Sequence, residues 1–533
     1  MPILAGWLTG EQVSQEIIEQ TLTTMGRVLG RYGGLPAHTT HPGAGLIAFS
    51  DPAYAMQHND DPPVLDWVPD RRTLVYRRPL SGMHPLYYIV DWPAQGNLLF
   101  ASEIKALFAV GVPRRLHVAA LNTLLRYGFI PAPWTVFKDI QIVPAGSILR
   151  WQRAKTVLNH ATDYHFDDSP SGETSLSHID TLLDEACANL LPPHEHLVAL
   201  TNGNYASALA SILTTKHTTS TFTLASLDYK KSTRSMRWAQ AELIAEACQC
   251  PLLTIDGVDQ PEFWIATLTG LEAPAVDSRP LALHQLLHTV SVETQARVAV
   301  SGLGGHTLLS PSLYQPTVLT PTSGIIDILE LYRRRLVDQS QQGLKLWSAD
   351  VASVLEKEEP WEETLHARKL VRYAGHLANT QQGLYYLDLH LRLPDLIVYT
   401  MHQLAMQEHM VVRSPYLTTH VLDTLTRLPA MLDGTVAKKH ILTTLVQQYI
   451  SSTQAPIDGL QLVAPCSSLL HIADSDLLQQ VLSPEAVQAR GIFNPQAVKA
   501  IIQQANGDVV PRELLLVFTT QLLCQLFEIE LML

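Results

Sequence analysis

Val298–Ala299–Val300–Ser301–Gly302–Leu303–Gly304–Gly305–His306 decides how the second half of this chain folds. A short apolar run ends in a glycine-bearing turn. That is the signature of a buried strand whose carboxyl end opens into a loop of close backbone approach. The same design appears upstream. His196–Leu200 reads as a buried strand, the turn Thr201–Ser207 carries Gly203, and Ala206–Leu213 reads as a helix. Around these, Thr221–Leu224 and Leu252–Ile255 read as strands, and Ile179–Ala188 and Met236–Ala247 as helices. Alternating strand and helix predicts a parallel sheet covered on both faces. Ligands of such sheets sit at the carboxyl ends of the strands, which makes Thr201–Ser207 and Ser301–His306 the candidate site. Beyond residue 324 the pattern is mostly helical. Arg333–Arg335, after the helical run Gly324–Leu331, reads as a solvated helix end.

The first half reads differently. Residues 1–160 are β-rich with a few helices: Leu74–Tyr76, Leu86–Val90 and Asn97–Phe100 are short strands, with turns at Ser81–Gly82 and Ala94–Gln95–Gly96. Leu116–Arg126 is an amphipathic helix stopped by Gly128. The polar stretch Asp167–Ser175 marks a linker, so the expected division is 1–160, a linker at 161–176, and 177–533. A chain of 533 residues exceeds one compact core.

Composition narrows the function classes. Hydrophobic residues are 46% and charged residues 16%, enough to build large cores. A net charge of -13 and a pI near 5.9 argue against nucleic acid or an acidic membrane as partner. No apolar run reaches membrane-spanning length, and Met1–Trp7 has no positively charged signal-peptide region. Cys187, Cys248, Cys250, Cys466 and Cys524 form no disulfide framework, and Cys248–Gln249–Cys250 lacks zinc spacing. A reducing, cytoplasmic setting is expected, with no metal site.

Phe100–Ala101–Ser102–Glu103–Ile104–Lys105–Ala106–Leu107, followed by Tyr127–Gly128–Phe129–Ile130–Pro131–Ala132–Pro133, Phe137–Lys138 and Pro144–Ala145–Gly146, resembles the interdomain signature of asparagine synthetases. Met83–His84–Pro85–Leu86–Tyr87–Tyr88 is similar to that family's G-x-K-P-L-Y-Y strand. Val412–Arg413–Ser414–Pro415–Tyr416–Leu417 resembles V-R-x-P-F-L, and Lys439–His440–Ile441–Leu442 matches a late family motif. The resemblance covers nearly the whole chain. It implies a two-domain protein, part α+β and part α/β. A reduced Ntn-hydrolase-like sandwich of the class II glutamine amidotransferase type precedes a Rossmann-like ATP-pyrophosphatase (adenine nucleotide alpha hydrolase) domain with a helical extension. In the family the first domain releases ammonia from glutamine, and the second adenylates aspartate with Mg·ATP. β-Lactam synthetases and lasso-peptide cyclases are relatives that keep only adenylation.

Set against that pattern, the residues that carry the chemistry are missing. The family nucleophile is a Cys after the initiator Met; here it is Pro2, with neither sulfur nor primary amine. The family's D-R ahead of the G-x-K-P turn is Pro79–Leu80. The first phosphate loop, S-G-G-x-D-S in the family, is Thr201–Asn202–Gly203–Asn204–Tyr205–Ala206. Its Mg²⁺-binding Asp is Tyr205, no ligand for a hard cation. The second loop, S-G-[DE]-G-[GS]-D-E, is Ser301–Gly302–Leu303–Gly304–Gly305–His306–Thr307, with all three acids replaced. Thr201, Gly203, Ser301, Gly302 and Gly304 are thus remnants of a nucleotide cradle, and Tyr205 and His306 stand where metal ligands are expected. Lys439, the counterpart of the family's charge-stabilising lysine, and Arg413 are retained. Glu272 in Leu271–Glu272–Ala273–Pro274 and Asp277 also remain. His306 and His402 replace acids at positions expected to face the cleft, where they read more simply as structural histidines among 22. Tyr205 is expected to fill the old phosphate site.

The expected function is a catalytically inactive pseudo-synthetase acting as scaffold or partner subunit. It needs no cofactor and takes an active homologue, another protein, or a peptide or small molecule in the old cleft. The alternative is an ATP-dependent amide-bond-forming ligase with a rebuilt site, holding ATP and Mg²⁺ through Glu272, Asp277, Lys439 and Arg413. Glutamine-dependent asparagine synthesis is disfavoured by the motifs.

Overall fold

A computed structural model describes residues 3–32, 35–50, 64–68, 71–166, 175–191, 196–201, 204–218, 221–229, 236–309, 328–336, 346–377, 379–428, 431–432, 436–450, 462–472, 475–505 and 510–531. Pro2, Asn202, Gly203, most of the expected linker (167–174) and the start of the helical run at Gly324 lie outside the described residues.

The amino-terminal half is built from β1 (Ile3–Leu8), β2 (Leu35–His41), β3 (Ala44–Ser50), β4 (Val64–Val68), β5 (Thr73–Arg77), β6 (Tyr87–Val90), β7 (Leu98–Ala101), β8 (Gln141–Ile142), β9 (Ser147–Gln152) and β10 (Lys155–His160). They form two antiparallel sheets, ordered β2-β3-β1-β7-β6-β8 and β10-β9-β5-β4. The twofold alternation of a strand explains β1, which is buried along its whole length. Leu4 and Leu8 face the second sheet through Tyr76, Leu149 and Trp151. Ile3, Ala5 and Trp7 face the other way, onto Ile18, Leu22 and Met25 of the helix Gln15–Leu29. The expected strands match β5, β6 and β7 to within one residue at each end. The expected helix runs Val118–Tyr127 and stops at Gly128, whose φ of 87° is the left-handed cap that glycine accepts.

The carboxyl-terminal half contains five parallel strands: β11 (Leu197–Leu200), β12 (Phe222–Asp228), β13 (Leu252–Asp256), β14 (Val298–Ser301) and β15 (Val411–Arg413). Their order is β13-β12-β11-β14-β15, every neighbour parallel. The chain starts at the middle, walks to one edge, then returns to build the other. The reversal point lies between β11 and β14, where the crevice of such a sheet opens. β15 comes from the Val412–Arg413 motif, more than a hundred residues after β14. The described residues between them are mostly helical, including Leu365–Ala374, Thr380–His390, the wide π-turn Leu393–Val398 and Tyr399–Gln407.

The halves share a core. The last long helix, Arg512–Leu526, packs with Phe108 and Phe137 of the first half. Arg114–Leu116 trades backbone hydrogen bonds with Glu530. The five cysteines are free thiols, and no described helix is long and apolar enough to cross a membrane.

Candidate functional site

The crevice is assembled from the ends of β11 and β14, which run in register (Leu200 beside Ser301). Past β11, Thr201 is buried, and its Oγ1 lies 3.0 Å from Ser207 Oγ in the first turn of the helix Tyr205–His217. One of that helix's first-turn donors, the Ser207 N–H, is satisfied internally. Asn204 is the cap, its Oδ1 accepting the Ser207 N–H at 2.8 Å, and its backbone carbonyl accepts the Ser207 hydroxyl at 3.0 Å. Past β14, the second loop folds onto this turn. A Cβ on Gly302 would lie 2.4 Å from the Ser207 backbone N and 2.5 Å from the Ala206 carbonyl carbon. Gly304 has φ +84°, and Gly305 is pressed between Ala206 and the Tyr416 ring. Ser414 donates to the Leu303 carbonyl at 2.6 Å, and Tyr416 donates to the Ala206 carbonyl at 3.1 Å. Steric fit against the Ala206–Ser207 turn therefore accounts for Gly302 and Gly305, and the left-handed backbone beside Leu417 for Gly304.

The structure brings Thr201, Ser301, Gly302 and Gly304 together around the Tyr205–His217 helix start; Gly203 is outside the described residues. Tyr205 and His306 are half-buried, Tyr205 against the apolar cluster behind the sheet. Lys439 is exposed on the turn Lys438–His440, which packs on the short helix Gly305–Leu309. It is the neighbouring Lys438 that turns inward, donating to the Leu425 carbonyl at 2.9 Å with its Nζ 4.8 Å from the Tyr385 ring centre. Arg413 is buried at the end of β15 and donates to the Leu190 carbonyl, closing the carboxyl end of the helix Leu176–Leu190.

The retained acids serve the seam between the halves rather than this crevice. Glu272 is 1% exposed. Its two oxygens accept the Ile104 and Lys105 N–H groups, each at 2.9 Å, and Lys105 Nζ stands 3.6 Å away. It caps the helix Ile104–Phe108 of the Phe100–Leu107 signature from across the seam. Burial raises its pKa, with the Lys105 ammonium working against the rise. Asp277 is taken by Arg279, which holds its carboxyl below the usual range against the effect of burial. His402 does not join the crevice either: its ring meets His84 edge-on at 5.5 Å, and burial together with Arg78 pushes it down to about 3. The glycine loops meet at the strand ends, whereas Glu272, which a rebuilt ligase site would need, lies at the seam with its carboxylate on the Ile104 and Lys105 N–H groups.

Beside Glu272 a cavity of about 70 Å³ separates the halves, lined by Tyr87, Ile130, Trp134, Glu272, Asp395 and Tyr399 among others. Tyr87, Tyr399 and Gln403 cross the seam in a chain of hydrogen bonds of 3.0 and 3.2 Å. Asp395, on the π-turn, accepts the Ala132 N–H at 2.8 Å through one oxygen. Its other oxygen takes no hydrogen bond among the described residues, and the Arg78 guanidinium stands 3.9 Å away. Burial pushes this carboxyl up to about 6, Arg78 opposing. No sequence signal marked Asp395, since a lone Asp after Pro394 in a helical stretch carries no motif.

Comparison with known proteins is consistent with this two-part plan. A glutamine amidotransferase domain family matches residues 65–164. The asparagine synthase family matches residues 203–525. No curated protein matches the chain. With more than half of its length matched by the synthase family, and an amidotransferase-like domain ahead of it, the chain belongs to the asparagine synthetase family.

Proposed function

We propose that this protein is a pseudo-synthetase of its family, a folded scaffold or partner subunit that turns over neither glutamine nor ATP. The observation that carries the reading is the chemistry of the two loops: neither 201–207 nor 301–307 contains an acidic residue. Mg²⁺ demands hard oxygen ligands, chiefly carboxylates. Tyr205, Leu303, His306 and Thr307 do not form such a set, so the donor set does not fit a metal–nucleotide complex. The internal capping of the helix start by Asn204 supports the same reading, because Ser207 N–H already has a protein acceptor. Glu272, Asp277, Lys439 and Arg413, the four groups a rebuilt ligase would need, have separate surroundings: the interdomain seam, Arg279, an exposed turn, and the Leu190 carbonyl. With Pro2 in place of the nucleophile, the first domain has a structural role.

In the same reading the antiparallel sheets are a reduced Ntn-like sandwich, and the five parallel strands a Rossmann-like ATP-pyrophosphatase core. The division lies near residues 161–176, the setting is the cytoplasm, and the partner is an active homologue or another subunit. Calorimetric titration of the purified protein with Mg·ATP, repeated without Mg²⁺, tests it. The expected result is no binding heat up to millimolar nucleotide. Micromolar, Mg²⁺-dependent binding would overturn the proposal in favour of an amide ligase with a rebuilt site.

A further inference from the structure

Away from the crevice, three side chains converge where the two halves meet. His160 ends β10, and Asp163 follows it on a segment held by hydrogen bonds from the Ala161 and Thr162 N–H groups to the Gly146 carbonyl, both 3.0 Å. His390 ends the helix Thr380–His390 of the second half. His390 Nε2 lies 2.7 Å from one Asp163 oxygen, and His160 Nε2 lies 3.4 Å from the other. One ligand atom from each residue fits within 4.8 Å of the others. The imidazole rings meet edge-on, 5.5 Å between centres.

We propose that His160, Asp163 and His390 bind a divalent transition metal of the zinc class, which clasps the amidotransferase-like half to the synthase-like half. Two imidazoles and a carboxylate are a donor set that zinc accepts, with a fourth position left to water or another side chain. Tetrahedral zinc with bonds of about 2.0–2.1 Å spaces its ligand atoms about 3.3 Å apart. The separations of 2.7 and 3.4 Å to the two Asp163 oxygens bracket that spacing, and the three ligand atoms, all within 4.8 Å of one another, close on the ion by side-chain rotation. The surroundings hold the ligands in place. Tyr386 donates its hydroxyl to Asp163 at 3.1 Å and sets its ring 4.3 Å from that of His390, and the Tyr164 N–H donates to the same carboxylate at 2.8 Å. Such outer partners orient metal ligands. Access is graded: His390 is buried, Asp163 half-buried, and His160 exposed, so an ion reaches the carboxylate from solvent. When the ion binds, Nε2 of His390 presents its lone pair to the metal and the ring proton resides on Nδ1.

The test is zinc uptake by the full-length protein, stripped with a chelator, dialysed, and titrated by calorimetry. With 22 histidines in the chain, variants must locate the ion. The expected result is one equivalent bound with a Kd of about 1 μM or tighter, and a higher melting temperature with zinc than with chelator. Cobalt(II) in its place should give the visible absorption of a four-coordinate nitrogen–oxygen site. His160→Ala removes an exposed ligand and is expected to weaken binding at least 10-fold. His390→Ala should do the same or worse. No uptake by the native chain overturns the proposal, as does equal uptake by native protein and His160→Ala.

Discussion

Glu272 accepts the backbone N–H of Lys105 at 2.9 Å while standing 3.6 Å from the ammonium of the same residue. One residue from the second half thereby fixes the first turn of a helix in the first half. Removing the carboxylate leaves the Ile104 and Lys105 N–H groups without their acceptor, while the Lys105 ammonium keeps Glu103 at 3.6 Å. Glu272→Ala is expected to destabilise the protein by about 2–4 kcal/mol in urea unfolding, the cost of leaving two N–H groups at the seam unpaired. Glu272→Gln, which keeps one acceptor oxygen, should lose less than half of that.

Asp395 gives the seam a pH dependence of definite sign. Its folded pKa is pushed up to about 6, above the roughly 3.9 of an unfolded Asp. Between those values the native state binds more protons than the unfolded one, so this residue's contribution falls as pH rises from about 4 to 6. The span is worth roughly 3 kcal/mol at most. Melting temperatures recorded across that window should show this downward contribution in the native chain relative to Asp395→Asn, which keeps an acceptor for the Ala132 N–H. At pH 8 the Asn variant should be the more stable of the two.

Gly302→Ala tests whether packing or phosphate keeps the glycine. A methyl group there meets Ser207 N and Ala206 C at 2.4 and 2.5 Å, both backbone atoms that cannot rotate away. Overpacking of this kind costs about 1–3 kcal/mol or more, read as a lower denaturation midpoint in protein that has never seen nucleotide. An unchanged midpoint would return the glycine to a ligand-binding role.

Lys438 and Lys439 should separate cleanly. Lys439→Ala, on the exposed turn, is expected to shift stability by less than about 0.5 kcal/mol. Lys438→Ala loses its hydrogen bond to the Leu425 carbonyl and its place near Tyr385, about 1–2 kcal/mol together. Thermal melts of the two variants side by side decide it.

How much of this was legible in the sequence depends on the range of the interaction. Val298–Ser301 and Leu197–Leu200 are legible because apolar runs stopped by glycine need only their own composition to be read. The helix Gln15–Leu29, with Ile18, Leu22, Met25 and Leu29 buried at helical spacing, was not resolved residue by residue because its polar face is interrupted by apolar Ile17 and Val28. The roles of Glu272, Asp395 and His390 were invisible for a different reason. Each is defined by a partner far along the chain, 227 residues away for His390 and Asp163, and no local pattern encodes such a meeting. Only the alternative of a rebuilt site gave the retained acids a role, holding ATP and Mg²⁺; in the fold Glu272 is an architectural group.

The seam has one more consequence. Glu272, Asp395 and the Tyr87–Tyr399–Gln403 group are polar side chains whose hydrogen bonds cross from one half to the other. Cut the polypeptide between the halves and each fragment must expose orphaned charges and a torn apolar face together. Heat should accordingly melt the protein in a single calorimetric peak, and the halves should survive as a complementing pair rather than as independent modules.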